Sequence, residues 1–60
     1  MKYFVYIETT ADGKPVDVLV NYYAELGEAI EAAQICHDNG NRTKVVGPSP
    51  LQGKPMTVTL

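Results

Sequence analysis

The chain holds one cysteine, one histidine and no tryptophan in 60 residues. A single thiol cannot close an internal disulfide, so the disulfide-stapled scaffolds of small secreted proteins are excluded. Cys36 and His37 are adjacent and lack the spacing of a zinc site, and no cofactor is implied. No apolar run approaches the ~20 residues that span a bilayer as a helix. Met1 is followed by Lys2 and a β-rich stretch instead of an apolar signal core. These shortages predict a soluble protein without membrane attachment in a reducing, cytoplasmic setting. Glycine forms no phosphate cradle, because Gly47 and Gly53 lie in a proline-broken stretch with no following helix to hold an anion.

Positive charge is also scarce. Five Lys and Arg stand against seven Asp and Glu, a formal net charge of −2, which argues against nucleic acid as a direct partner. The charges are segregated along the chain. Residues 15–41 hold Asp17, Glu25, Glu28, Glu31 and Asp38 without a Lys or Arg, whereas residues 42–60 hold Arg42, Lys44 and Lys54 without an acid.

What is present reads as one domain over residues 1–60. A chain of this length buries only ~60% of the surface its unfolded form exposes. Lacking a disulfide or metal, it needs close packing or self-association.

Two β-rich runs, Lys2 to Thr10 and Pro15 to Tyr23, flank Asp12-Gly13. That dipeptide supplies the positive φ angles of a two-residue hairpin turn. The resulting register sets Thr9 against Val16, Ile7 against Val18, Val5 against Val20 and Tyr3 against Tyr22, an apolar face throughout. The other face carries Phe4, Tyr6 and Leu19 with Glu8, Asp17 and Asn21.

From Ala24 to Asp38 the period becomes helical and ends at Asn39-Gly40, a stop signal. Leu26, Ala29, Ile30, Cys36 and His37 fall within about 60° of Ala33 on a helical wheel, which predicts the buried stripe. Thr43 to Val46 and Met56 to Leu60 read as short strands, separated by a Gly- and Pro-rich connection from Gly47 to Pro55. The expected fold class is α+β: a small two-layer ββαβ(β) domain with an antiparallel hairpin packed against one helix.

Catalysis finds little support. Neighbours on a helix point ~100° apart, so Cys36 and His37 cannot form a nucleophile–base pair, and Cys36 is expected to be a buried, inert thiol. The prolines at 48, 50 and 55 suit a connecting loop, with an extended recognition segment as the functional alternative.

The candidate partner-binding residues are acids beside apolar groups. Glu28, Glu31, Ile35 and Asp38 lie within about 40° of the pole opposite Ala33, so an isoleucine sits among three acids on the outward face. Asp38 is at the helix end where the dipole disfavours negative charge, and no Lys or Arg stands at helical spacing to relieve Glu28 and Glu31. On the hairpin, Glu8 is expected directly opposite Asp17, a like-charge pair that costs stability, beside Phe4 and Tyr6 and with Asp12 at the tip. Unrelieved acids with apolar anchors suit a protein partner with a basic groove, the charges steering encounter and the apolar groups supplying desolvated contact.

The run KYFVYIETTADGKPVDVL followed by LGEAIEAAQICHDNGNRTKVVGPSPLQG resembles the short accessory proteins of phages and mobile elements. In size and layout it is similar to anti-CRISPR inhibitors of type I systems, such as type I-C. The likeness spans most of the chain. It implies a non-enzymatic inhibitor that docks on a Cas complex subunit in the host cytoplasm and blocks target-DNA binding. The modest net charge departs from strongly acidic DNA mimics and puts whole-molecule mimicry in doubt. Two other readings stay open: a structural or regulatory homodimer joined through edge strands or the Phe4, Tyr6 and Leu19 face, and a weak nucleic-acid binder using the basic C-terminal third.

Overall fold

Asp12 and Gly13 adopt φ angles of 53° and 76°, the left-handed pair of a tight turn whose twist matches that of the strands it joins. The structure, a computed structural model, describes residues 1–49 and 54–60. Strand β1 (Tyr3–Ala11) and strand β2 (Lys14–Tyr23) leave this turn as an antiparallel pair. From Ala11 opposite Lys14 to Tyr6 opposite Leu19 the register is the one the turn predicts.

Beyond that point the expected pairing is wrong by one residue. The register shifts between Val5 and Tyr6, so that Asn21 faces Val5, Tyr22 faces Phe4 and Tyr23 faces Tyr3. Val20 is left as the extra residue of a bulge. The alternation could not reveal it, because Leu19, Val20, Tyr22 and Tyr23 place apolar side chains on both parities.

Helix α1 (Leu26–Asp38) begins after an extended Glu25 that makes no side-chain cap, its carbonyl accepting from the Ala29 N–H at 3.2 Å. It ends as its sequence signals. Gly40 takes φ 92°, its N–H donates to the His37 carbonyl at 2.9 Å, and the Asn41 N–H donates to that of Cys36 at 3.1 Å. These two bonds satisfy carbonyls that the end of a helix leaves without intrahelical partners.

Strand β3 (Arg42–Pro48) pairs with β1, and strand β4 (Pro55–Thr59) pairs with β3, giving one antiparallel sheet in the order β2-β1-β3-β4. The ladder is longer than its composition suggests. Gly47, Pro48 and Pro55 belong to strands, with Gly47 opposite Met56 and Pro48 opposite Pro55. The Leu60 N–H donates to the Thr43 carbonyl at 3.0 Å, and alternation from that bond makes the Pro48–Pro55 pair a non-hydrogen-bonded one, where a missing N–H does no harm. Residues 50–53 of the predicted proline-rich connection lie outside the described residues.

The helix lies over β1 and β3 and meets β2 less. Between these layers Tyr3, Val5, Val45, Ala29 and Ala33 form the buried core, with Tyr23, Leu26, Ile30, Met56, Val58 and Leu60 packed around it. Ala29 and Ala33 have short side chains, which lets the helix backbone come close to the sheet. Buried Thr43 is satisfied by donating its hydroxyl to the Asn41 carbonyl at 3.1 Å. Tyr3 lies across Gly47, where a Cβ would strike the ring. The structure bears out an α+β fold, but the helix covers the β1/β3 half of the sheet instead of the whole hairpin. Val16, Val18 and Val20, expected beneath it, are therefore exposed.

Candidate protein-interaction surfaces

Burial of Ala29 and Ala33 turns the opposite side of α1 to solvent, and Glu28, Glu31, Ile35 and Asp38 are all exposed there. Ile35 is 64% exposed, the most open large apolar side chain after Met1 among the described residues. Among the described residues no ion pair involves Glu28, Glu31 or Asp38. Asp38 accepts one hydrogen bond from the Gln34 amide at 3.1 Å. Glu28 lies in the first turn, where the helix dipole favours an acid, and Asp38 ends the last turn, where it does not.

The buried stripe on the other side is narrower than expected. Cys36 is only half-buried and His37 is exposed, so the fully covered part of the stripe is confined to Ala29 and Ala33. Divergent exposure of these adjacent residues agrees with their ~100° separation on the helix. Among the described residues no three His, Cys, Asp or Glu side chains gather closely enough to hold a metal ion.

The sheet face away from the helix carries the second candidate group. Alternation places Phe4, Tyr6 and Glu8 of β1 between Tyr22, Leu19 and Asp17 of β2 and Val46, Lys44 and Arg42 of β3. Glu8 and Asp17 do face each other, yet they are not unrelieved. Arg42 Nη1 lies 3.4 Å from Glu8 Oε1, and Lys44 Nζ lies 2.6 Å from Asp17 Oδ2. The expected strain is thus cancelled by a strand whose position next to β1 the sequence does not announce. The Arg42–Glu8 pair is solvated and contributes little to stability. The hydrogen bond to Asp17 raises the Lys44 pKa above its usual 10.5, helped by the fields of Asp17, Glu8 and Tyr6 and opposed by desolvation.

Above this charge-balanced half the same face is aromatic. The Phe4 and Tyr22 rings lie 6.1 Å apart, Lys2 Nζ sits 4.6 Å from the Tyr22 centroid, and Lys44 Nζ is 6.0 Å from that of Tyr6. A shallow depression of about 520 Å³ at the other margin is lined by Glu8, Arg42, Thr43, Lys44, Thr57, Thr59 and Leu60. Asp12, grouped with the acids by sequence, holds the turn at positive φ. The helix and hairpin candidates lie on opposite sides of the molecule and do not form one surface.

Sequence reasoning missed that β2 is exposed on both faces, having assigned Val16, Val18, Val20 and Tyr22 to the covered one. Val16, Val18, Leu19, Val20 and Tyr22 are each 37–51% exposed, and β2 is an outer strand of the sheet. Only the strand order discloses this, since an inner and an outer strand of such composition read alike. No family model matches the chain, and neither the characterised proteins nor the solved structures compared with it include a match, so its own residues and their geometry carry the functional reading.

Proposed function

We propose that this protein is a non-catalytic inhibitor or adaptor that docks the outer face of α1 onto a basic groove of a protein partner. One observation carries the reading: Ile35 stands 64% exposed among Glu28, Glu31 and Asp38, and among the described residues none of these acids has a cation partner. The hairpin acids, matched by Arg42 and Lys44, offer no comparable excess charge. An exposed apolar anchor ringed by unpaired acids suits steering by charge followed by desolvated contact. With the resemblance to type I anti-CRISPR inhibitors, the partner class is a Cas surveillance complex whose basic groove otherwise receives target DNA.

A purified type I-C surveillance complex, a labelled target duplex and the full chain provide the test. The protein is expected to reduce target binding in a dose-dependent manner. The Glu28→Lys/Glu31→Lys variant is expected to slow association most at low salt, where screening is weakest. Ile35→Ala is expected to act chiefly on dissociation. Absence of inhibition would remove the Cas assignment. Inhibition indifferent to all three substitutions, with the folded spectrum intact, would remove the helix from the contact.

A further inference from the structure

We infer that β2 pairs with β2 of a second copy about a twofold axis through Val18, joining the two sheets edge to edge. The inference does not depend on the helix surface. It starts from the direction of the backbone groups along an open edge ten residues long.

Pro15 has no N–H, so its pair with Thr10 is of the non-hydrogen-bonded type. Alternation makes Asp17 opposite Glu8, and Leu19 opposite Tyr6, pairs of the same type. Asp17 and Leu19 therefore direct their N–H and C=O groups away from β1, toward solvent. On either side of them the edge is closed. Pro15 supplies no donor, and beyond the Val20 bulge the Tyr22 N–H is taken by the Asn21 side chain at 2.8 Å. A bulge and a proline are common means of blunting an edge. Here they leave one short window between them.

That window complements itself in one register. With Val18 on the axis, Asp17 of each copy faces Leu19 of the other and the two pairs exchange four N–H···O=C bonds. Centring on Asp17 would set two carboxylates directly opposite each other. Centring on Leu19 would oppose Asp17 to Asn21, whose backbone groups turn toward β1. The chosen register also brings Val18 against its copy and Val16 against Val20. Val18 and Val20 are both 45% exposed and flank the area the helix leaves uncovered. The opposite sheet edge, β4, is only five residues long and begins with Pro55, so the assembly closes at two copies instead of extending as a filament. A contact of this few residues falls in the class of small interfaces, for which weak, concentration-dependent association is expected.

Sedimentation equilibrium of the full chain, from low micromolar to millimolar concentration, should show a monomer–dimer equilibrium. Val18→Lys, which places two cations on the axis, should raise the dissociation constant at least about tenfold. A second measurement does not depend on that variant folding. In a Cys36→Ser background, Val18→Cys should form a disulfide-linked dimer under mild oxidation, because axial residues of a non-hydrogen-bonded pair have Cα atoms ~4.5 Å apart, within disulfide reach. Tyr22→Cys should not. A chain that stays monomeric over the whole range overturns the inference. So does a dimer that neither weakens with Val18→Lys nor cross-links through position 18, since it would use another face.

Discussion

Replacing Gly47 with alanine adds one methyl group to a β3 position where the backbone conformation is ordinary and the space is not. The new Cβ would lie 3.0 Å from Tyr3 Cε1 and 3.1 Å from Cγ, and closer still to Cδ1. Tyr3 is 8% exposed and belongs to the buried core, with Tyr23 directly across the ladder, so its ring cannot swing aside without opening the helix–sheet contact. Overpacking of this kind costs about 1–3 kcal/mol. The lower unfolded-state entropy of alanine offsets it by ~0.5–1 kcal/mol. Total stability for a chain of this size is of the order of 3–9 kcal/mol, so the net loss is a sizeable fraction. Urea unfolding followed by circular dichroism should show it as a midpoint lower by ~1 M, the middle of the range these terms allow, for a slope near 1 kcal/mol/M. The discriminating measurement is a double-mutant cycle. In a Tyr3→Val background the obstruction is gone, and Gly47→Ala should be neutral or slightly stabilising. An equal loss in both backgrounds would show that the ring does not cover Gly47, and the packing of β1 against β3 described above would be wrong.

Gly40→Ala should destabilise by about 1–2 kcal/mol, because φ 92° at that position is a left-handed conformation that L side chains resist; thermal unfolding that is unchanged would contradict the cap geometry. The Lys44–Asp17 contact predicts a pH dependence on the alkaline side. A lysine whose folded-state pKa is raised contributes stability in full below its usual value of 10.5 and loses it as pH climbs through the higher folded-state value. The stability difference between wild type and Lys44→Met should therefore be constant from neutral pH to about 9.5 and shrink above about 10.5; a difference that grows there would reverse the sign of the argument.

Local chemistry was enough to define the turn, the helix and its end. Asp12-Gly13 and Asn39-Gly40 act through the φ angles of residues two or three apart, and the helical period arises within a few residues, so neither depends on what packs above. The turn likewise fixed the register near the hairpin tip and put Glu8 opposite Asp17. The same reasoning picked out Glu28, Glu31, Ile35 and Asp38 as an outward helix face, because exposure on a helix follows once its buried side is known. What depended on neighbours distant in sequence was decided only in three dimensions. The Val20 bulge arises where apolar residues occupy both parities and pattern no longer selects a register. Arg42 and Lys44 cancel Glu8 and Asp17 because β3 lies beside β1, a choice set by packing Val45 and Thr43 under the helix. That same choice leaves β2 outermost, so valines written into the strand as core residues are exposed: a 13-residue helix seated by Ala29 and Ala33 on β1 and β3 does not extend over them.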